Sequence, residues 1–449
     1  MENEKVLDLL NQTDSKKIKI AIADIDGILR GKYIHKRKLA NAADQQLGIC
    51  DVVFGWDSGD VCYDNGKVTG WQTGYPDGKA KVDLSTFRKI PWENNIPFFL
   101  ADFGDDPKYS GIACSRSLLK KVAAECKNMG FTTRFAQEFE WFCFRGTPSE
   151  ISNSGFQQLQ PITPGMFGYS DLRTSMNQGF VNEVIDFMEA FNVPLEGMHT
   201  ETGPGVFEAA VYYDEILAAA DKAILFKTGV KEIAYRHNMV ASFMAKWNKN
   251  LPGSGGHIHQ SLWDAEGKTN LFWDEKGGLT EILEYYIAGQ LMCLPEILPM
   301  FAPTVNSYKR IGHGDWAPAN VTWGFDNRTA AERVIDGKME SARIESRVPG
   351  ADTNAYLALA AALASGLYGI KHKLKLQDGP VTGNSYSSKA IKLPVDLMEA
   401  TEKMAGSALA RELFGEGFID HFTRTREWEW RQFGNQVTDW ELKRYFEII

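Results

Sequence analysis

Glu138 and Glu140 sit two residues apart inside an otherwise aromatic, apolar run, RFAQEFEWFCF (134–144). Alternate side chains of a β-strand share a face, so the two carboxylates point one way while Phe139 and Trp141 point the other. Two like charges so close on a burial-prone strand call for a shared proton, an arginine or a divalent cation. MHTETGPGVFEAAV (198–211) adds Glu201 and Glu208 on either side of Thr202-Gly203-Pro204-Gly205, a loop that folds the chain back and brings both acids toward one point. GSGGHIHQSLW (253–263) sets His257 and His259 two apart behind three glycines that let a ligand approach the backbone. SARIESRVPG (341–350) alternates Arg343, Glu345 and Arg347 along one strand face, and NSYKRIG and DNRTAAERV, which precede it, add Arg310, Arg328 and Arg333.

Taken singly, each pattern has a bland reading: a wetted acidic edge, a core histidine satisfied by a carbonyl, a surface ladder of ion pairs. Together they describe one chemistry. The planar fork of arginine suits phosphates and carboxylates, clustered carboxylates suit a metal, and phosphoryl transfer from a nucleotide requires both. Glu138, Glu140, Glu201, Glu208, Glu345 and His257 form a hard, oxygen-dominated set that favours Mg²⁺ or Mn²⁺ over zinc and is large enough for two ions. No segment matches G-x-x-x-x-G-K-[ST], and no G-x-G-x-x-G opens a helix after a strand, so holding the nucleotide falls to metals and arginines.

The elements that must position these groups divide the chain in two. IKIAIADIDGILRGKYI (18–34) reads as two strands joined near Asp26-Gly27, and IPFFLADF (96–103) as a buried strand, giving a small β-rich domain over 1–110. From 111 to 449 the pattern is a larger α+β domain. Its opening helix, SRSLLKKVAAECKNMGF, has a serine cap candidate and closes at Gly130; further helices are expected at 176–190, 213–236, 280–295 and 352–370. QDGPVTGNSYSS (377–388) reads as loose. A net charge of -9 argues against nucleic-acid binding. Six scattered cysteines form no zinc or disulfide framework and fit a reducing cytoplasm, and neither a secretion signal nor a membrane-spanning run is present.

In this order the segments resemble the glutamine synthetase superfamily across essentially the whole chain. RFAQEFEWFCF is similar to that family's Glu-x-Glu strand, HTETGPGVFE to its second acidic pair, GSGGHIHQSL to its histidine loop, NSYKR to its substrate arginine, NRTAAERV to its phosphate-binding arginines and RIESRVPGADTNAYL to its Glu-x-Arg strand. The resemblance implies an amino-terminal β-grasp domain and a synthetase catalytic domain. It also implies a homo-oligomer, a dodecamer of two hexameric rings in which one subunit's small domain closes its neighbour's active site. It places Glu140, Glu201 and Glu208 on a first metal and Glu138, His257 and Glu345 on a second. Arg310, Arg347 and Gly253 would line the carboxylate pocket. Arg328, Arg333 and Arg343 would meet phosphates, and His259 and Ser261 the nucleotide. The implied reaction joins glutamate to an amine at the expense of ATP through an acyl phosphate.

The chain departs from that pattern around the amine. Where ammonia-using members carry a flap glutamate, six residues beyond the substrate arginine, this chain has Trp316, with Asp315 one residue early. The small-domain loop reads FGWDSGDV, offering Asp57 and Asp60; Pro252 stands in place of an asparagine, and Glu340 in place of a lysine. An indole wall holds an alkylammonium but accepts no proton. The closest pattern is therefore the γ-glutamylpolyamine and γ-glutamylalkylamide synthetase branch, with an ammonia-using synthetase as the alternative. A non-catalytic homologue would have lost metal positions, and all six are kept.

Overall fold

The computed structural model describes residues 3–311 and 316–449, and is built around two sheets. The smaller contains β1 (Lys17–Ala23), β2 (Leu29–His35), β3 (Gln46–Cys50), β4 (Asp77–Val82), β5 (Arg88–Ile90) and β6 (Ile96–Asp102). Its order is β2-β1-β6-β4-β3, with β5 also on β6. The two strands expected around Asp26-Gly27 pair antiparallel, and β1 runs parallel to β6. Every residue of β6 is buried, because the strand feeds two cores. Phe99 and Ala101 join Ile18, Ile20 and Ile22 in a small core, while Phe98 and Leu100 join Ala21 and Ala23 in the large one.

The larger sheet carries the charged segments. It comprises β7 (Thr132–Arg145), β8 (Leu195–Thr200), β9 (Val206–Val211), β10 (Met239–Ser242), β11 (Gly256–Trp263), β12 (Trp323–Phe325), β13 (Glu332–Ile335) and β14 (Arg343–Ser346), in the order β12-β13-β14-β11-β7-β9-β8 with β10 also on β7. One face is apolar: Phe139, Trp141, Phe207, Ala209, Ile258 and Ile344 are all at most 1% exposed. Against it lies the helix Ile216–Arg236, whose Phe226 stacks on Phe139 at 5.8 Å and meets Trp141 edge-on at 5.6 Å. Burying aromatic surface on that side forces the alternate residues of each strand onto the other.

A buried arginine ties the smaller sheet to this helix layer. Arg116, 3% exposed, donates to Asp221 twice at 2.8 Å, to Asp102 at 2.5 Å and to Asp83 at 2.9 Å, and the Tyr356 hydroxyl donates to Asp221 at 2.6 Å. Two expectations are corrected. The helix Ser115–Asn128 is capped by Cys114 with no side-chain hydrogen bond, so Ser115 is its first residue and not its cap. Residues 377–388 are tied down: Val381 N–H donates to Trp323 O at 2.8 Å, and Asn327 Nδ2 donates to Val381 O and Gly383 O, both at 2.9 Å. The six cysteines are free thiols, and among the described residues no helix is long and apolar enough to cross a membrane.

Candidate active site

Strand register assembles the polar face without help from loops. Glu140 on β7 lies opposite Glu208 on β9, and Glu208 lies opposite His199 on β8. In the other direction Glu138 is opposite His257 on β11, His259 is opposite Glu345 on β14, and Glu345 is opposite Arg333 on β13. Because each pair sits at the same pleat parity, eight strand positions collected from six strands of distant sequence face one cavity of about 630 Å³. Glu201 joins them from the turn after β8. The same cavity is lined by Arg310, Arg328, Arg343, Arg347, Gly253, Pro252 and Trp316.

The charges are unevenly compensated. Glu345, 1% exposed, lies between two guanidinium groups: Arg333 NH1 donates to it at 2.7 Å and Arg347 NH1 also donates to it. Burial pushes its carboxyl up, but Arg347, His257 and His259 outweigh burial and hold its pKa at about 2. Glu138 is likewise driven up by burial and brought well below the carboxylate range by His257, at 3.2 Å, and His259, at 3.8 Å. Glu208 goes the other way: burial, then Glu138, Glu140 and Glu201, raise its pKa far above that range. Glu140 Oε2 accepts the Gly255 N–H at 2.6 Å, which fixes its direction but supplies no full charge. A crowd of carboxylates short of cations is what a divalent ion neutralises, and the oxygen-rich donor set with imidazole fits Mg²⁺ or Mn²⁺.

Placement of the expected residues is otherwise mixed. Arg310 is 4% exposed, its fork donating to Val348 O at 2.8 Å and Arg347 O at 3.1 Å, with Gly253 against its stem. Arg343 Nε donates to His259 Nδ1 at 3.1 Å. Trp316 is 59% exposed at the cavity wall, on a backbone with φ +64°; Asp315 lies outside the described residues. Ser261 is not brought into this cavity. Its hydroxyl accepts from Trp263 Nε1 at 3.0 Å and faces an adjoining recess shared with Glu340, Tyr213, Arg134, His259 and Arg343. Asp57 is not brought there either: within this chain it accepts from the Gly59 and Val61 amides at 2.8 and 3.0 Å and from Trp428 Nε1 at 2.8 Å.

Two cavity residues went unnoticed in the sequence, His199 and Tyr169, whose rings stack at 4.1 Å. The signal for His199 was present: it stands two before Glu201, the i, i+2 spacing used elsewhere, and the structure places it in β8.

Comparison with known proteins agrees with this geometry. Residues 112–445 match the glutamine synthetase catalytic domain family. The chain belongs to the glutamine synthetase family. It is 50% identical to "Type-1 glutamine synthetase 2" of Dictyostelium discoideum over 98% of this chain and 86% of that protein. It is 38% identical to "Glutamate--isopropylamine ligase" of a Pseudomonas species over 99% of this chain and 98% of that protein. Among solved structures, the ADP complex of GmaS superposes with a TM-score of 0.84 at 25% identity, covering 98% of this chain and 99% of that one. The glutamine synthetase fold accounts for the curled eight-stranded sheet and its helical backing.

Proposed function

We propose that this protein is an ATP-dependent carboxylate–amine ligase that makes a γ-glutamyl amide from glutamate and a primary organic amine. One observation carries the ligase reading: a single sheet face presents three overlapping carboxylate–imidazole groups to a cavity that also holds five arginines, Arg310, Arg328, Arg333, Arg343 and Arg347. In this reading Glu140, Glu201 and Glu208 hold one divalent ion and Glu138, His257 and Glu345 a second. Bound there, the ions supply electrostatic stabilisation of the transferring phosphoryl group. Arg310 and Arg347 hold the substrate α-carboxylate, and Arg328, Arg333 and Arg343 neutralise the triphosphate. The recess around Ser261, with Arg134 lying 4.1 Å over the Trp263 ring, takes the nucleoside end.

Held in line, a γ-carboxylate oxygen of glutamate bonds to the γ-phosphorus of ATP as ADP departs, leaving an acyl phosphate. The amine nitrogen then bonds to the acyl carbon, phosphate leaves, and the amine sheds a proton. A cavity screened from water protects the acyl phosphate between the two steps. Homo-oligomerisation, with a neighbouring small domain (residues 1–110) closing the catalytic domain (111–449), belongs to the same proposal and gives Asp57 its only route to an active site.

Trp316 favours an organic amine over ammonia: an exposed indole on the cavity wall offers apolar contact and no proton acceptor where ammonia users have an acid. The name of the Dictyostelium relative favours ammonia instead. Phosphate release with ammonia, methylamine, isopropylamine, ethanolamine and putrescine decides between them. The organic-amine reading requires one of the carbon-bearing amines to exceed ammonia in kcat/KM; ammonia as best substrate would overturn it.

A further inference from the structure

His199 is used by nothing described so far, yet its position is as constrained as that of any ligand. Its Nε2 lies 3.3 Å from Glu201 Oε1 and 3.3 Å from Glu208 Oε1. Two independent features set it there. Strand register puts it opposite Glu208, and its ring stacks on Tyr169 with planes 16° apart, so only the ring edge reaches the carboxylates. Tyr169 is itself anchored, its N–H donating to Thr200 O at 2.6 Å.

The arrangement duplicates that of His257, whose Nδ1 lies 3.2 Å from Glu138 and 3.5 Å from Glu345. Each half of the face thus holds an imidazole between two carboxylates, the Glu138 and Glu345 half having His259 beside Glu138 as well. Donor atoms of His199, Glu201 and Glu208 all lie within 4.8 Å of one another. The halves differ in arginine: Arg333 and Arg347 pair with Glu345, whereas among the described residues Glu201 and Glu208 form ion pairs only with His199. No guanidinium of the described residues occupies the space between Glu201 and Glu208, and the His199 Nε2 edge converges with their oxygens on that point.

We propose that His199 is a direct ligand of the first metal, beside Glu201 and Glu208, so that each of the two ions has its own imidazole. This rests on the two-metal reading given above. A nitrogen donor at both sites shifts preference from Mg²⁺, which favours oxygen and water, toward Mn²⁺.

The test is calorimetric titration of the full chain with Mn²⁺ alone and with Mg²⁺ alone. His199→Ala weakens Mn²⁺ at one of the two sites by at least about tenfold and weakens Mg²⁺ by a smaller factor. An unchanged Mn²⁺ affinity overturns the proposal. So does a strengthened one, the sign expected if His199 were only an imidazolium competing with the ion. A second measurement does not require His199→Ala to fold by itself. Mn²⁺-loaded His257→Ala shows ¹⁴N modulation in pulsed electron paramagnetic resonance, and that modulation falls when His199 is replaced by Gln in the same background; modulation unchanged by that replacement overturns the assignment. If the wild-type chain takes up no Mn²⁺, the two-metal reading fails along with it. If two ions bind and His199 makes no difference, this inference alone fails.

Discussion

Gly253→Ala tests whether the loop before β11 positions the substrate carboxylate through Arg310. A Cβ at Gly253 would stand 2.5 Å from Ala245 O, 2.8 Å from Arg310 Cγ and 3.1 Å from Arg310 Cδ. The carbonyl has little room to retreat, because it accepts the Ser254 N–H at 2.9 Å. The arginine stem must therefore give way by at least 0.6 Å, the difference between 2.8 Å and an ordinary 3.4 Å contact. Its guanidinium is bonded to Val348 O and Arg347 O, so the shift passes to the fork. Displacements approaching 1 Å at a positioning group cost up to about 10²-fold, so a loss of roughly 10- to 100-fold in kcat/KM for glutamate is expected, about 1.4 to 2.7 kcal/mol. Overpacking adds about 1–3 kcal/mol of destabilisation. Steady-state kinetics with glutamate varied, and then with ATP varied, separates the two: the loss falls on glutamate and the ATP KM stays close to wild type. A folded variant whose glutamate KM lies within about twofold of wild type would refute the argument that Gly253 sets Arg310.

Other perturbations address charge. Glu208 has its native pKa raised above the ordinary value of 4.5, so its contribution to stability is complete below 4.5 and is lost as pH rises toward the native value. At about pH 8 the metal-free Glu208→Gln variant should therefore melt higher than metal-free wild type. It should also lose most of the Mn²⁺-induced rise, worth about 2.7 kcal/mol per ion at a hundredfold excess over Kd; a lower metal-free Tm would contradict this. His421 is 3% exposed, its pKa pushed down to about 4 by burial and then Arg426, and its Nε2 has no partner among the described residues. A depressed histidine contributes stability above its unfolded value of 6.5 that is lost as pH falls toward 4, here about 3 kcal/mol. Urea unfolding of His421→Leu should show a shallower acid decline between those limits, and parallel profiles would refute it. Arg116→Met leaves Asp221 buried without its counter-ion and Asp102 with Lys120 alone, and should cost about 3–5 kcal/mol in denaturant unfolding; a loss below about 1 kcal/mol would refute this role for Arg116.

What the sequence shows of this site follows from periodicity, and what it hides follows from pairing. The i, i+2 spacing of Glu138 and Glu140, and of His257 and His259, puts each pair on one face, and β7 and β11 do so. Nothing in either segment says that β7 lies between β9 and β11, so the rows Glu140–Glu208–His199 and His259–Glu345–Arg333 appear only once the strands are registered. Asp57 shows the opposite problem. Its loop is polar and rich in turns, and only the structure reveals its bond to Trp428, 371 residues away. The tie of residues 377–388 to Trp323 and Asn327 is equally invisible, because the segment contributes only backbone groups to these bonds, and those leave no compositional mark.

The Arg116 cluster bears on how this protein can be rebuilt. Asp83 and Asp102 come from the amino-terminal sheet, Asp221 and Tyr356 from helices behind the catalytic face, and β6 packs its two sides into two cores. The first hundred residues therefore do not behave as a detachable cartridge. A chimera that imports this segment from a relative, in order to import that relative's acceptor preference, inherits a buried guanidinium awaiting two aspartates and a hydrophobic seam cut for Phe98 and Leu100. Recombination is best placed around those residues, carrying Asp83, Asp102 and Arg116 together as one heritable block.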